Sequence, residues 1–318
     1  MGVSPTLAEW KSAQWNYLKG TITSGTIRAY AAAWTHRLEP TLGSATLTEI
    51  RPYSIESAWS TWAGSRSTKN DALALLSRLM NRAERAELIS RNPVRLIEIG
   101  REEKPDPVAR ALEPGELAEL FFRVPAGGYR RIMQAMGYAG LRLGEASALL
   151  VRDVDLREGL IHVRRATVLD EDGRRDLASH RPKSHGVRAV PILDQLAPVL
   201  AESIQGKDDL DLVFPGPRGG VVTSKNLSRA IRWHEWRDEI RSYPASEPNL
   251  RFHDLRHSSA TLFLRAGVPV HEVQRIMGHS SIQVTELYAH SNSERIRIAG
   301  AKLSGYLETE AALARRAA

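Results

Sequence analysis

Most of this chain repeats apolar side chains every three or four residues, and one stretch repeats them every second residue. A repeat of about 3.6 residues marks a helix with one buried face, and a repeat of two marks a strand. The alternating stretch covers residues 159–192 and contains a polar turn at 170–173. The sequence therefore predicts a mainly α protein with a small antiparallel β-sheet, whose hairpin tip lies near 183–186.

The first 99 residues are expected to form a helical domain of their own. Four runs of helically spaced apolar residues occur, at 7–18, 27–38, 55–62 and 73–83. Ser24 is a suitable N-cap for the second helix, and Pro40 and Gly43 are expected to end it. Tryptophans at this spacing are typical of core packing, with stacking on nucleic-acid bases as the alternative.

A charged, proline-containing stretch at 100–111 has the composition of a linker. It divides the chain into domains at 1–99 and 112–318, and 318 residues are enough for two. Pro114 suits the first turn of a helix that opens the second domain. Helices are expected there at 114–124, 128–139, 144–150, 194–203, 224–241, 254–266, 270–276, 281–288 and 294–306.

The composition favours a polyanionic partner, because the net charge is +7 and the isoelectric point is about 9.8. The sequence contains no cysteine, which excludes disulfides, thiol catalysis and thiolate-bound zinc. It has no apolar run of about 18 residues and no signal-peptide pattern at its start, so a cytoplasmic protein without a membrane span is expected.

The last third of the chain combines one tyrosine with clustered arginine and imidazole. His253, Arg256 and His257 fall within five residues, and His253 and Arg256 share a helix face. His279 and Tyr288 follow downstream. This set suits attack of a phenol oxygen on a phosphodiester. Because a phenol has a pKa of about 10, it needs a base nearby and cations that stabilise the developing negative charge.

Other interpretations of the same residues stay open at this point. A buried, neutral histidine is commonly structural, and Arg256 could form a salt bridge with Asp254 or Glu272. A metal site could use the histidines 253, 257, 279 and 290. Hydrolytic zinc sites usually add a carboxylate or thiolate, and the His-Glu-x-x-His spacing is absent, so a metal-free phosphate site is favoured.

Two further cations complete the pattern. Arg142 lies between glycines just before a predicted helix, and its planar guanidinium suits two phosphate oxygens. Lys183 lies at the predicted hairpin tip, from where it could deliver a proton to a leaving oxygen. Taken singly, Arg142 is a weak signal compatible with a solvated or ion-paired arginine, and Lys183 is better explained as a solvated lysine in a turn.

In order along the chain, these motifs resemble the tyrosine recombinase (phage integrase) family. They are Gly-Leu-Arg142-Leu-Gly-Glu, Lys183 before Arg188-Ala-Val-Pro, His253-Asp-Leu-Arg-His, and Met-Gly-His279 followed by Tyr288-Ala-His. The resemblance spans residues 112–291. The unit at 6–99 is similar, less specifically, to the family's core-site DNA-binding domain, which has a SAM-like helical fold.

The resemblance implies a DNA strand transferase that needs no metal, ATP or other cofactor. Tyr288 would attack the scissile phosphate and form a 3′-phosphotyrosyl link, while Arg142 and Arg256 bind the non-bridging oxygens. Lys183 would protonate the departing 5′-oxygen, and His253 would assist proton transfer at the tyrosine. The second imidazole, at position 279, would donate a hydrogen bond to the phosphate.

It also implies particular partners and a particular location. The expected substrate is double-stranded DNA containing core recombination sites, bound by a homotetramer on paired sites. A tail helix at 292–318, apolar on one face, is expected to dock on the neighbouring subunit. The chain begins close to the core-binding unit, so a form without an arm-site domain is expected. An accessory directionality factor is compatible with this picture, in a bacterial or phage-encoded protein associated with the nucleoid.

The residues that read DNA are expected on two helical surfaces. The candidates are Arg28, Arg66, Lys69 and Asn70 in the first domain, and Lys225, Asn226, Arg229 and Arg232 in the second. A solvated helix face is the alternative for each. The alternative functions are a type IB-like topoisomerase or a telomere-resolving relative, a DNA-binding protein without catalysis, and a metal-dependent nuclease.

Overall fold

The computed structural model describes residues 4–100, 111–169, 175–176, 188–240 and 249–279. Over these residues the protein is mainly helical with a small antiparallel sheet, as the sequence predicts. The chain divides into a first unit, Met1–Glu103 with Val168–Asp176, and a second unit, Lys104–Thr167 with Leu177–Ala318. No helix in the described part is long and apolar enough to cross a membrane.

The first unit is a cluster of helices around one core. Its helices are α1 (Leu7–Thr21), α2 (Ser24–Ala33), α3 (Glu39–Leu42), α4 (Pro52–Thr61) and α5 (Arg66–Arg85), with a π-helical turn at Trp34–Leu38 and a 3-10 turn at Pro93–Leu96. Trp34 and Trp62 are buried, and Trp10 donates its indole N–H to the carbonyl of Leu79 at 3.0 Å. The prediction that these tryptophans pack in the core is confirmed.

The second helix differs from its predicted form at its start and at Pro40. Its N-cap is Thr23, one residue before Ser24, and no side chain caps it. Pro40 does not end the helical path, which continues through α3 to Leu42 and ends before Gly43, the other predicted stop. Proline disrupts a regular helix because its ring meets the carbonyl four residues earlier. The π-helical turn before it has wider, five-residue hydrogen-bond spacing, which makes room for the ring.

The second unit surrounds a larger apolar core with helices. These are α6 (Pro114–Arg123), α7 (Gly128–Ala139), α8 (Leu143–Ser147), α9 (Ala197–Ile204), α10 (Ser224–Ala230), α11 (Trp233–Trp236), α12 (Phe252–Arg265) and α13 (Val270–Met277). Pro114 opens α6 as predicted, and α8 ends at Ser147, three residues before its predicted end. Close packing of α7 against α12 brings together the chain segments that carry the candidate site.

The sheet is short and antiparallel. Its strands are β1 (Val154–Asp155), β2 (Leu160–Val163), β3 (Val168–Leu169), β4 (Arg175–Asp176) and β5 (Arg188–Pro191). β1, β2 and β5 form one sheet in that order, with Ile161 opposite Val190, and β3 pairs with β4 in a separate ribbon. The ribbon groups with the first unit. The predicted tip at 183–186 lies outside the described residues.

A single helix at 224–241 was expected, and this prediction is wrong. The path breaks at Arg232, which has left-handed backbone angles (φ 53°), and continues as α11 and a 3-10 turn, Arg237–Glu239. Left-handed backbone costs a non-glycine residue roughly 1–2 kcal/mol. The break accompanies burial of Trp233, whose ring stacks on Phe252 with centroids 4.6 Å apart. The sequence contains no proline or glycine here to signal it.

Candidate active site

Four of the six predicted catalytic residues lie in the described part of the chain, and the fold brings them together. Arg142 is the N-cap of α8, His253 and Arg256 lie in the first turns of α12, and His279 follows α13. Lys183 and Tyr288 lie outside the described residues, as do the tail at 292–318 and the predicted helices at 281–288 and 294–306.

A buried carboxylate, that of Glu145, organises the arginines. Arg142 donates to it twice, from Nη1 to Oε1 at 2.9 Å and from its backbone N–H to Oε2 at 2.8 Å. Arg188 binds both carboxylate oxygens in a fork, at 2.9 and 2.7 Å. Nη1 of Arg256 lies 3.9 Å from Oε2. Glu145 therefore connects three guanidinium groups among the described residues.

The ionisation of Glu145 follows from this arrangement. Burial alone raises the pKa of a carboxyl group, because it disfavours the charged form. Here the hydrogen bonds and charge of Arg188, with the charges of Arg256 and Arg142, outweigh burial and lower the pKa to about 2. Glu145 is therefore a carboxylate at neutral pH, and its negative charge is met by more than one cation.

Backbone carbonyls at the C-terminal end of α13 bind the same three arginines. The carbonyls of Ile276, Met277 and Gly278 accept hydrogen bonds from Arg188, Arg256 and Arg142, respectively. The last carbonyls of a helix lack partners within it and carry the negative end of its dipole. They therefore suit guanidinium groups. The left-handed Gly278 (φ 62°) ends the helix and leads the chain into His279.

A second helix end contributes through Gly140. This residue ends α7 with left-handed backbone (φ 64°), and its carbonyl accepts a hydrogen bond from Arg256. A Cβ atom at this position would lie 2.5 Å from Cε of Met277, so glycine permits the close approach of the two helix ends. Only 2% of the Arg256 side chain is exposed, whereas 36% of the Arg142 side chain is exposed.

The histidines of the site are neutral at pH 7. Partial burial, with the charges of Arg256 and Arg142, lowers the pKa of His253 to about 4 and that of His279 to about 3. Burial and the neighbouring His253 lower the pKa of His257 to about 4. The rings of His253 and His257 meet edge to face, with centroids 4.7 Å apart. A neutral imidazole can accept one proton or donate one N–H.

The structure decides one of the alternative interpretations. Asp254 pairs with Arg251 at 2.9 Å and Glu272 with Arg275 at 3.4 Å, whereas Arg256 binds helix-end carbonyls and lies beside Glu145. Arg256 therefore belongs to the candidate site and not to a salt bridge with either predicted carboxylate. No cluster of three metal-ligating side chains occurs within the described ranges. The histidine at position 290 lies outside them.

Sequence reasoning missed the roles of Glu145 and Arg188. Both stand in motifs that carry the family resemblance, but neither was assigned a function. Glu145 follows Arg142 by three residues, the spacing of an N-terminal capping carboxylate, and this was the available signal. Arg188 is the first residue of β5 and is followed by the exposed Ala189. No sequence signal identifies its contact with the carboxylate of Glu145, 43 residues earlier.

The DNA-reading candidates occupy α2, α5 and the region of α10. Exposed positions are Arg28, Asn70, Lys225, Asn226, Arg229 and Arg232. Arg232 pairs with Glu235. The other two candidates are half-buried: Arg66 donates to the carbonyl of Gly100, and Nζ of Lys69 donates to that of Trp59 at 3.2 Å.

A mainly helical fold in which one carboxylate and one helix end hold arginines beside neutral imidazoles is the arrangement expected of a tyrosine recombinase. Residues 126–295, more than half of the chain, match the model of the phage integrase family, and the chain belongs to that family. It is an enzyme that cuts and rejoins DNA strands at specific sites through a 3′-phosphotyrosyl intermediate, the mechanism of the family.

Three known proteins illustrate the similarity. Tyrosine recombinase XerC of Bacillus subtilis is 26% identical over 238 residues, 73% of each chain. The Tn1549 transposon integrase (residues 82–397), in complex with circular intermediate DNA, has a TM-score of 0.74 at 19% identity and covers 94% of this chain and 100% of its own. Lambda integrase, solved as a tetramer bound to a Holliday junction, has a TM-score of 0.66 at 18% identity and covers 87% and 78%.

Proposed function

We propose that this chain recombines short core sites in double-stranded DNA, with Tyr288 as the nucleophile. The proposed partners of the tyrosine are Arg142, Lys183, His253, Arg256 and His279. One observation carries the assignment of the described residues: Arg142 and Arg256 are fixed by the same carboxylate and the same helix end, beside two neutral imidazoles.

The two arginines meet the charge of the reacting phosphate. When the phenol oxygen attacks, negative charge gathers on the two non-bridging oxygens, and fixed guanidinium groups stabilise it without reorganising. Arg142, which is one-third exposed, would bind one oxygen from the open side, and the buried Arg256 would bind the other. Fixing both groups before DNA binds lowers the cost of reaching the transition state.

Proton transfers complete the reaction. The Tyr288 oxygen forms a bond to phosphorus, and the bond to the 5′-oxygen breaks. The phenol proton passes towards His253, whose low pKa leaves it neutral and able to accept. Lys183 gives a proton to the departing 5′-oxygen. A 5′-hydroxyl of a second strand then reverses these steps, so the number of phosphodiester bonds is unchanged and no ATP is required.

DNA binding would use both domains, at 1–99 and 112–318, joined by the linker at 100–111. The basic candidates on α2, α5 and the region of α10 would contact phosphates and base edges. Phosphate contacts release counterions, so affinity should fall steeply with salt. The net charge of +7 supports this proposal.

Recombination joins four strands, so we infer a homotetramer on paired core sites. The solved lambda integrase tetramer, a protein of similar fold, supports this inference. The tail at 292–318 would dock head to tail on the next subunit, and such an exchange closes into a ring. Because the substrate is chromosomal or phage DNA, the proposed location is the bacterial cytoplasm, at the nucleoid, with a directionality factor as an accessory partner.

A covalent trapping experiment tests the assignment of Tyr288. A core site is first selected from random duplex DNA by binding, then nicked next to the cleavage position so that the short strand diffuses away after attack. We expect a covalent adduct in EDTA, mapped by peptide analysis to Tyr288 and lost in Tyr288→Phe while DNA binding persists. The matched control is Tyr53→Phe, at a tyrosine that is 80% exposed, which should form the adduct normally.

Two results would contradict the proposal. An adduct formed by Tyr288→Phe would place the nucleophile elsewhere. Cleavage that stops when EDTA is added would indicate a metal-dependent nuclease.

A further inference from the structure

Arg188 is a third arginine of the site, and the proposed reaction assigns it no role. Its side chain is 9% exposed. Both Nη atoms bind the oxygens of Glu145, and Nε donates to the carbonyl of Ile276 at 2.8 Å. A Cβ at Gly278 would lie 3.0 Å from its Cδ, so the stem of Arg188 is also closely packed. All three guanidinium nitrogens thus contact the protein itself.

The charges of the site show what Arg188 contributes. Glu145 holds Arg142 in place, but the same carboxylate also competes with the substrate, because a carboxylate and a phosphate attract a guanidinium in the same way. With Glu145 alone, the two phosphate-binding arginines would keep one net positive charge between them. With Arg188 included, the described residues of the site keep two. Away from bulk water, one charge makes a large difference to the binding of an anion.

We infer that Arg188 is a positioning residue for DNA cleavage, which neutralises Glu145 so that Arg142 and Arg256 keep their positive charge for the scissile phosphate. This inference rests on the proposed roles of Arg142 and Arg256. Arg188 resolves a conflict within the site: the carboxylate that fixes the geometry of the arginines would otherwise cancel part of the charge they need. Its attachment to α13 also holds the helix end that orients the other two.

The first test compares variants on the nicked core-site substrate. Arg188→Met keeps an unbranched apolar stem and removes the guanidinium group with its charge. We expect the rate of covalent cleavage at saturating protein to fall on the order of tenfold to a hundredfold, as for other losses of active-site positioning. Site affinity, which depends on many phosphate contacts, should change less than about threefold. Arg188→Lys keeps the charge but cannot bind both oxygens of Glu145. Its cleavage rate should lie between those of the wild type and Arg188→Met.

A matched control separates this role from the general cost of breaking a buried ion pair. Arg165 is also partly buried, at 17% exposed, and pairs with the buried carboxylate of Asp153. Arg165→Met should lower the melting temperature about as much as Arg188→Met while cleaving at nearly the wild-type rate. Equal cleavage defects in both variants would overturn the inference.

A change in the substrate supplies a readout that packing alone would not alter. A methylphosphonate at the scissile position carries no negative charge, so it needs less compensation from the arginines. We expect Arg188→Met to be impaired much less on this substrate than on phosphate. Adding Glu145→Gln to Arg188→Met should also restore part of the rate, because the uncompensated carboxylate is removed. Equal impairment on both substrates, with no restoration, would mean that Arg188 only supports packing.

The outcomes distinguish this inference from the proposed function. If Arg142→Ala cleaves phosphate normally, the assigned roles of the arginines fail, whatever Arg188 does. If Arg142→Ala is inactive and Arg188→Met matches the wild type, only the inference about Arg188 fails. If Arg188→Met does not fold, Arg188→Gln, which is also uncharged, takes its place, and the ratio of its rates on the two substrates decides.

Discussion

Among the described residues, the contacts between cations and aromatic rings lie in the first unit, whereas the second unit gathers three arginines around one buried carboxylate. In the first unit, Nζ of Lys11 lies 4.5 Å from the centre of the Trp15 ring, and the guanidinium of Arg82 lies 3.7 Å from the centre of the Tyr17 ring. In the second unit, arginines bind the buried carboxylate of Glu145 and the carbonyls at helix ends.

The difference matters for what each unit can do with its charge. An aromatic ring attracts a cation through its quadrupole, by about 0.5–1 kcal/mol at exposed sites, and leaves the net charge uncancelled. A carboxylate fixes a guanidinium far more precisely but cancels one charge. Rings therefore suit a surface that attracts a polyanion, whereas a carboxylate suits a site where geometry decides the rate. The second unit combines both needs by placing three arginines around one carboxylate.

Removing that carboxylate should have the largest effect. Glu145→Ala leaves the buried Arg188 and Arg256 without their countercharge, and breaking a buried ion pair in this way costs roughly 3–5 kcal/mol. We expect a corresponding loss in the free energy of unfolding, measured by urea titration, and no detectable cleavage. Glu113→Ala, which breaks the exposed pair with Arg265, is the control and should cost less than about 1 kcal/mol. If both variants lose a similar free energy of unfolding, the buried ion pairs of Glu145 contribute no more to stability than the exposed pair of Glu113.

Much of this site was accessible from the sequence because its motifs are local. His253 and Arg256 share a helix turn, and Arg142 precedes a helix, so spacing alone placed them on rigid elements. Glu145 and Arg188 were missed because their roles depend on tertiary contacts. The two hydrogen bonds from Arg188 to Glu145 join positions 43 residues apart. The bond from Nε of Arg188 reaches the carbonyl of Ile276, 88 residues away. Helical periodicity carries no information about such pairs.

The errors in the fold have a related cause. Pro40 is a helix breaker by local propensity, yet a π-helical turn carries the chain past it to Leu42, and the path then ends before Gly43, as predicted. At Arg232 the local sequence favours a continuous helix, and burial of Trp233 against Phe252 accompanies a break that propensity does not predict. Neither departure can be read from local propensity alone.

The second largest effect should come from acid, which is expected to destabilise the second unit. The neutral histidines with low pKa values belong to that unit. Unfolded histidine takes up a proton near its ordinary pKa of 6.5, whereas folded His253 and His257 do so only near 4, and His279 near 3. Between these values the unfolded chain binds more protons, so stability falls as the pH drops from about 6.5 towards 4. The carboxyl of Glu145, with its pKa near 2, contributes a separate loss only below about pH 4.5.

The measurement is the melting temperature between pH 7.5 and 4.5 at constant ionic strength. We expect a progressive decrease in the wild type and a shallower one in His257→Gln, which has no proton to gain at this position. His271→Gln, at an exposed histidine, is the control and should follow the wild type. A melting temperature that does not change down to pH 4.5 would mean that the three imidazoles are not held neutral by the fold.

The smallest expected effect concerns two lysines of the first unit that lie over tryptophan rings. Lys69 lies 5.5 Å from the centre of the Trp59 ring and is a DNA-contact candidate, whereas Lys11 has a similar aromatic setting but was not predicted to meet DNA. Replacing either by alanine should change the free energy of unfolding by less than about 1 kcal/mol. If Lys69 neutralises one phosphate, Lys69→Ala should lower the slope of log K against log salt by about 0.9, and Lys11→Ala should leave it unchanged. A slope that Lys69→Ala leaves unchanged would show that a cation held by a ring in this unit is not sufficient for phosphate contact, and would shift the search to the exposed Arg28 and Asn70.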